Sequence, residues 1–329
     1  MQEAPVRGPD TPDGDQREPV VIARDVTKKY GEQLAVAELS LDVPEQSIFG
    51  FVGPSGSGKT TTIRVLTGVT RPNAGDVFVL GHPPTTFSPA ERARIGYLPQ
   101  LSVLFPTMSL LENLQFVASI YGMPLRRSAK LREVLDLVEL WDHRRKRLRD
   151  ASGGMQRRLA LAAALVHDPE LVFLDEPTAG IDPVLRQKVW DRFRELRDAG
   201  RTLFVTTQYV GEAEYCDHVA VVAEGRIIAS DTPEGLRRRA YGGEVLEISA
   251  GEALSEDVLA ELRGLPGVRH MPPTDPDDPA VRLIVEDAAR AIPRVTECLE
   301  RHGITADGVR EERPPFDDVF VRLVEDAAS

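Results

Sequence analysis

The sequence predicts an α/β protein with a largely parallel sheet, followed by a small α+β domain. Three observations lead to this prediction. Short apolar runs at residues 48–52, 171–174 and 202–206 alternate with helical patterns. A glycine-rich octapeptide at residues 53–60 joins the first of these runs to a helix. Beyond a linker near residues 237–243, strand and helix patterns resume in a separate, smaller unit.

Length and composition limit the possible classes of protein. The 329 residues, 42% hydrophobic and 28% charged, are enough for about two domains with real cores. The net charge of −12 argues against general nucleic-acid binding. The only two cysteines, Cys216 and Cys298, are far apart in the sequence and do not have the spacing of metal ligands. So few cysteines fit a reducing, cytosolic setting best. The longest strongly apolar run, residues 159–166, is too short to span a bilayer, and no secretion signal is recognisable.

The chain begins with a region that has almost nothing to bury. Residues 1–19 are rich in Pro, Asp, Gly, Gln and Glu, and predict a disordered tail. Residues 20–236 form the predicted first domain. Its opening part carries β-rich runs at residues 20–23, 34–43, 48–52 and 75–81. The last of these follows the glycine-rich octapeptide and predicts that the sheet resumes there with antiparallel character.

Residues 109–167 are mainly helical in pattern. Ser109 is expected to cap a first helix, with Glu112 completing a capping box. Ser128 is expected to cap a second helix with one apolar face, and a third helix begins near Ser152. Three apolar side chains here predict either a groove for a partner's helix or an internally packed patch; they are Phe105, Met108 and Met123.

The alternation of strands and helices then resumes. Residues 171–176 are an apolar strand that ends in two carboxylates, and Asp182 begins a helix as its N-cap. Residues 202–206 are the next buried strand, followed by a hairpin. After a linker near residues 237–243, residues 237–329 predict a small α+β domain with no catalytic constellation.

The octapeptide has the phosphate-binding pattern of glycine, four residues, glycine, lysine, and serine or threonine. Its glycines let backbone N–H groups point inward, and the following helix adds its positive end. Lys59 is expected to reach the β- and γ-phosphates, and Thr60 to bind Mg²⁺. A chance glycine-rich turn is the alternative, which the flanking strand and helix weaken. The residues expected to bind nucleotide here are Gly53, Pro54, Ser55, Gly56, Ser57, Gly58, Lys59, Thr60 and Thr61.

Polar groups elsewhere complete a candidate site. Asp175 and Glu176 end a buried strand, where adjacent carboxylates are rare without a cation or a proton to manage. We expect Asp175 to hold hydrated Mg²⁺ and Glu176 to polarise the attacking water; helix capping before Pro177 is the alternative. Gln100 offers an amide that could sense Mg²⁺ and the γ-phosphate, although a solvated glutamine is the default.

A second helix start offers another anion site. Ser152, Gly153 and Gly154 would present a hydroxyl and free N–H groups to an anion. An ordinary serine-capped helix is the alternative. Because a nucleotide has one γ-phosphate and the chain already has a phosphate loop, this second site makes most sense if it closes on nucleotide held by another copy.

The order of these motifs resembles the nucleotide-binding subunit of ABC transporters over about residues 20–236. The resemblance implies a RecA-like core, an antiparallel β subdomain and a helical subdomain, with ATP and Mg²⁺ as cofactors. The matching motifs are residues 53–60 as Walker A, Gln100 as the Q-loop, residues 151–155 as the signature with Ala151 in place of leucine, residues 171–176 as Walker B with the catalytic glutamate, residues 179–182 as the D-loop that includes Asp182, and Tyr30 as the aromatic residue that stacks on adenine.

One position departs from the family pattern. The switch histidine of the family falls at Gln208, and glutamine can donate a hydrogen bond to phosphate but cannot carry the proton of histidine. Either hydrolysis is slow or absent, or Glu176 does the main polarising work while Gln208 positions. We favour the second interpretation because Lys59, Asp175 and Glu176 are intact, and some drug-exporter ATPases that resemble this chain carry glutamine there.

Residues 314–321 resemble the chain ending of ATPases in ABC-2 type exporters, the daunorubicin-resistance-like group. An ordinary amphipathic helix is the alternative. The resemblance implies a subunit at the cytoplasmic face of the membrane that powers export of a drug, lipid or polymer-like substrate through a separate permease. It also implies a second ATP-binding subunit, most simply an identical one. Because the net charge is −12, we expect no nucleic-acid partner.

Two other functions stay open. One is a soluble ABC ATPase that acts on ribosomes or DNA. The single phosphate loop, and the fewer than one hundred residues between it and the signature, count against that function. The other is a regulatory pseudo-ATPase, which would depend on Gln208 alone.

Overall fold

The computed structural model describes residues 17–100, 104–250, 254–273, 280–304 and 306–328. Residues 1–16 of the predicted disordered tail lie outside the described residues, and residue 19 already lies in a strand. The chain divides into two units, the first ending at Thr232 and the second beginning at Pro233. Among the described helices, none combines the length and the apolar composition needed to cross a membrane.

Nine strands and six α-helices build the first unit over the residues described. The strands are β1 (Pro19–Tyr30), β2 (Gln33–Pro44), β3 (Ile48–Val52), β4 (Ala74–Val79), β5 (Ile95–Leu98), β6 (Leu171–Asp175), β7 (Thr202–Thr207), β8 (His218–Ala223) and β9 (Arg226–Asp231). The helices are α1 (Lys59–Leu66), α2 (Pro89–Arg92), α3 (Leu110–Ile120), α4 (Ser128–Leu137), α5 (Gly153–Leu165) and α6 (Pro183–Asp198).

A six-stranded sheet forms the centre of this unit, in the order β5-β6-β7-β3-β8-β9. All neighbours pair in parallel except β9, which is antiparallel to β8. Strands β3, β6 and β7 are buried throughout, as expected for apolar strands covered on both faces. The Phe49 and Phe204 rings stack 5.5 Å apart in this core. The predicted largely parallel sheet is confirmed.

A second sheet is antiparallel, in the order β2-β1-β4. Strand β1 covers twelve residues, far more than the predicted run at 20–23. Its pairing with β2 has several register shifts, and Asp25, which lies within the shift between Ala23 and Val26, has φ of +50°. Such irregularities break the alternation of side chains that predicts a strand, so only part of β1 was recognised.

The helical part follows its predicted capping signals with one exception. The Glu112 N–H donates to Ser109 Oγ at 3.2 Å, and the Ser109 N–H donates to the Glu112 carboxylate at 2.7 Å. Ser128, by contrast, is the first residue of α4, and the N-cap is Arg127. The prediction that Ser128 caps the helix is wrong, because Arg127 is fixed at that place by donating to the carbonyl oxygens of Met123 and Gln115.

Over its described residues, the second unit has an antiparallel four-stranded sheet, in the order β11-β12-β10-β13, and four α-helices. Its elements are α7 (Pro233–Tyr241), β10 (Glu244–Ala250), α8 (Glu256–Arg263), β11 (Val268–His270), β12 (Val281–Val285), α9 (Ala288–Arg301), β13 (Ala306–Glu312) and α10 (Phe316–Ala328). The predicted linker at residues 237–243 is wrong over most of its length. Residues 237–241 are helical because Leu236 and Ala240 bury one face of α7.

Candidate nucleotide-binding and catalytic site

Three neighbouring strands end at one edge of the central sheet. Val52 at the end of β3 pairs with Thr207 of β7, and Asp175 at the end of β6 pairs with Thr206. Ligands of open α/β sheets bind outside the carboxyl ends of the parallel strands. The register therefore brings the phosphate loop, the two carboxylates and the segment with Gln208 to the same edge.

The phosphate loop needs its glycines for both conformation and space. Gly56 and Gly58 have φ of +83° and +96°, in the left-handed region. A Cβ on Gly58 would lie 2.4 Å from the carbonyl oxygen of Ala35, and one on Gly53 would lie 2.1 Å from that of Val222. Helix α1 begins directly after Gly58, so its positive N-terminal end follows the loop as predicted.

Lys59 lies beneath this loop and is almost fully buried, with 4% exposure. Its Nζ donates to the carbonyl oxygens of Gly53 and Pro54 at 2.8 and 2.9 Å. It also lies 3.6 Å from Glu176 Oε1. Burial lowers the pKa of Lys59, while the carboxylates of Glu176 and Asp175 oppose that shift. The loop thus holds the Lys59 ammonium at the place where the motif predicts that phosphate binds.

Asp175 is fully buried, and its surroundings suit a hard cation. Its Oδ1 accepts from Thr206 Oγ1 at 2.8 Å and from Thr60 Oγ1 at 3.3 Å. Its Oδ2 is buried without a hydrogen-bond partner among the described residues. Such an oxygen is costly unless something satisfies it. A carboxylate and a hydroxyl side by side are the oxygen ligands that Mg²⁺ prefers, so these residues fit that ion.

Glu176 follows Asp175 in an unusual conformation. Its φ is +51°, a left-handed backbone that costs a non-glycine residue about 1 kcal/mol. Its N–H donates to both the carbonyl oxygen and the Oγ1 of Thr206, each at 3.1 Å. Residues 177–180 form a turn, and the next helix is α6 at Pro183, so Asp175 and Glu176 do not cap a helix. The strained backbone turns the carboxylate toward Lys59.

Gln208 lies against the phosphate loop, because its Oε1 accepts from Ser55 Oγ at 2.8 Å. Behind it, the buried carboxylate of Glu212 accepts from the hydroxyls of Thr207 at 2.5 Å and Thr178 at 2.7 Å. Glu212 therefore connects the segment after β6 to the segment after β7. No sequence pattern indicated Glu212, because its partners are spread over 34 residues of the chain.

Arg157 of α5 is a second site residue that sequence patterns did not indicate. Its Nη1 donates to the carbonyl oxygens of Pro99 and Gln100, and its Nη2 donates to those of Asp175 and Glu176. Gln100 itself is exposed and is bonded to the site through its carbonyl oxygen. Arginines of this kind are common on helices, so only the three-dimensional contact distinguishes Arg157.

The other predicted site residues lie at the surface. Tyr30 is 46% exposed, with the Lys28 ammonium 5.2 Å from its ring centre. Exposed Ser152 and Asp182 cap their own helices, accepting from the N–H groups of Met155 and Leu185 respectively. Among the described residues, a Cβ added to Gly153 or Gly154 at the start of α5 would meet no atom within 4 Å outside the nearby backbone of α5 itself. The start of α5 is thus open to a ligand or a partner.

Comparison with known proteins agrees with this geometry. The model of the ABC transporter family matches residues 36–179. The chain is 38% identical to the daunorubicin resistance ATP-binding protein DrrA3 of Streptomyces coeruleorubidus, over 91% of this chain and 94% of that protein. It is also 38% identical to the Nod factor export ATP-binding protein I of Rhizobium etli, over 91% of each chain.

Solved structures agree as well. An ATP-binding subunit of an ABC transporter superposes with a TM-score of 0.63 at 25% identity, covering 68% of this chain and 93% of that one. A dimeric ATP-binding cassette in a post-hydrolysis state with ADP and Pi gives a TM-score of 0.60 at 26% identity, covering 64% of this chain and 98% of that one. The predicted cassette fold is confirmed. The chain therefore belongs to the ATP-binding proteins of ABC transporters, and it is an ATPase whose hydrolysis is coupled to transport.

Proposed function

We propose that two copies of this chain enclose two ATP–Mg²⁺ and that their closure drives a separate export permease at the cytoplasmic face of the membrane. The observation that supports this most is the constellation at the carboxyl edge of the sheet. There the buried ammonium of Lys59 lies 3.6 Å from the Glu176 carboxylate, and the neighbouring Asp175 carboxylate accepts from the hydroxyl of Thr60.

The chemistry in this proposal is positioning and charge stabilisation. Lys59 and the N–H groups of residues 53–60 hold the phosphates, while Thr60 and Asp175 hold Mg²⁺. When bound, that ion would neutralise phosphate charge. Glu176 polarises the attacking water, and Gln208 orients it from its place on Ser55. Tyr30 stacks on adenine, and Gln100 contacts the ion and the γ-phosphate.

Dimer formation would complete each site with the start of α5 from the other copy. Ser152, Gly153 and Gly154 offer a hydroxyl and free N–H groups at the N-terminus of a 13-residue helix. The exposure of Ser152 and Gly153 leaves room for a nucleotide that a second copy brings. Asp182 would lie at the same interface.

A groove on the helical part supports the permease contact. It has a volume of about 710 Å³ and is lined in part by Met108, Phe116 and Leu125. Leu125 is 94% exposed, and Phe116 packs edge-on against the partly exposed Phe105 at 4.9 Å. Exposed apolar side chains beside a groove suit an apolar helix of a membrane partner. The relatives named for daunorubicin resistance and Nod factor export favour a drug, lipid or polymer-like cargo.

The test is to purify the tagged chain from detergent-solubilised membranes of its host. We expect a multi-span membrane protein in near-equal amount that raises ATP turnover. Ribosomal or DNA-bound partners, with the chain absent from membranes, would instead support a soluble ABC ATPase and overturn the proposal.

A further inference from the structure

The guanidinium of Arg157 on α5 bonds to two other segments of the site, the one after β5 and the end of β6 with the proposed catalytic Glu176. Arg157 Nη1 donates to the carbonyl oxygens of Pro99 at 2.8 Å and Gln100 at 2.9 Å. Its Nη2 donates to the carbonyl oxygen of Glu176 at 2.8 Å and to that of Asp175. The four acceptors come from the segment after β5 and from the end of β6, which lie 58 and 18 residues from Arg157.

These contacts require an arginine in particular. The planar fork of a guanidinium can serve several acceptors at once, whereas a lysine ammonium is a single point of donation on a flexible stem. The side chain is largely buried, and burial lowers the pKa of Arg157, while Asp175 and Glu176 oppose that shift. A charge held in such a place needs its hydrogen bonds, because leaving them unmade is costly.

The contact with Glu176 has a geometric consequence. The left-handed backbone of Glu176, at φ of +51°, is bonded on both sides of the residue. Thr206 accepts from its N–H, and Arg157 donates to its carbonyl oxygen. With both peptide groups held, the direction of the carboxylate toward Lys59 is fixed by β7 on one side and by α5 on the other.

We propose that Arg157 is a positioning residue that transmits the placement of α5 to Glu176 and to the segment of Gln100. Helix α5 begins at the residues proposed to meet nucleotide on a second copy, so seating of that nucleotide would align the carboxylate through one rigid helix. This inference rests on the proposed role of Glu176 as the group that polarises water.

The first test compares Arg157→Met with Arg158→Met in the full chain. We expect Arg157→Met to lower kcat at least tenfold while the KM for ATP changes less than twofold, because the binding loop is intact. Arg158, the next residue of α5, donates to the Val138 carbonyl oxygen at 3.1 Å, away from the site, so its variant should keep wild-type kcat. Arg157→Lys should fall between the wild type and Arg157→Met.

A double-mutant cycle with Glu176→Gln separates positioning from general damage. If Arg157 acts through Glu176, adding Arg157→Met to Glu176→Gln should lower kcat less than twofold further. The inference would be overturned if the double variant lost kcat by the product of the two single losses. A wild-type kcat in Arg157→Met would overturn it as well. Melting temperatures are measured in parallel, and Arg157→Lys replaces Arg157→Met in the cycle if the methionine variant does not fold.

The two proposals fail in different ways. If Glu176→Gln loses turnover while the Arg157 variants keep it, only the inference about Arg157 is overturned. If Glu176→Gln keeps turnover, the proposed role of Glu176 fails, and positioning through it fails as well.

Discussion

Two charged side chains of the site are buried, and hydrogen bonds from or to other residues offset the cost of that burial. Lys59 is almost fully buried and donates to carbonyl oxygens of the loop. Asp175 is fully buried and accepts from the hydroxyls of Thr60 and Thr206. The glycine-rich motif predicts Lys59 and Thr60, and the apolar strand that ends in two carboxylates predicts Asp175, because both patterns are local in the sequence. Arg157 and Glu212 could not be indicated in this way, since their partners are set by tertiary packing.

Glu176 carries the first prediction. Replacing it with glutamine removes the charge that polarises water but keeps the shape, so ATP binding should persist while phosphate release slows about 10²–10⁴-fold. Steady-state phosphate release and equilibrium binding of a fluorescent ATP analogue measure the two properties. Glu133→Gln, on the exposed face of α4, is the matched control. Turnover within a few-fold of the wild type would refute the assignment of Glu176.

Gln208 carries the second prediction. Gln208→Ala removes the hydrogen bond with Ser55 and the amide that orients water, so kcat should fall about tenfold, the usual effect of one such bond. The KM for ATP should change little, since Lys59 keeps its bonds to Gly53 and Pro54 and the loop loses only the one bond from Ser55. An unchanged kcat in single-turnover measurements would show that the amide takes no part in hydrolysis.

At the scale of helices and strands, the sequence predicts those features that depend on residues close together in the chain. The capping box of α3 and the Asp182 cap of α6 were predicted, because each depends on residues three positions apart. Strands β5 and β11 were not predicted, since four and three residues are too few to show a pattern. Helix α7 was mistaken for a linker, because only the packed structure shows which of its polar residues are covered.

Helices α3 and α5 end close together, and their contact predicts a pH effect. The Tyr121 and His167 rings stack 3.6 Å apart, and His167 Nε2 lies 3.0 Å from the Ile95 carbonyl oxygen. Burial lowers the pKa of His167 below its usual 6.5. The unfolded chain therefore binds this proton first, so the free energy of unfolding falls as the pH drops through 6.5 toward the folded pKa.

The measurement is urea unfolding at pH 7.5 and pH 5.5. His167→Gln should lose less stability between these two values than the wild type does, because the group that titrates is gone. His143→Gln, at an exposed position, serves as control and should behave like the wild type. An equal loss of stability in His167→Gln would contradict the prediction.

At the scale of the whole molecule, the parallel sheet and the phosphate loop were predictable because buried strands read as apolar runs. The order of the strands was not, since it depends on which edges meet in three dimensions. The open start of α5 is the feature that matters at this scale. Ser152 is exposed there, and the described residues leave open space beside Gly153 and Gly154, so this helix terminus is suited to a ligand that a second copy presents.

The most direct test of the composite site is the mass of Glu176→Gln in solution with ATP and Mg²⁺. Sedimentation should give twice the 36.2 kDa of one chain, because ATP that is not hydrolysed holds two copies together. Adding Ser152→Glu should return the mass to 36.2 kDa by like-charge repulsion with phosphate, while Ser128→Glu, at the exposed start of α4, should not. A Glu176→Gln chain that binds ATP yet stays single, or a Ser152→Glu variant that still doubles, would contradict the account.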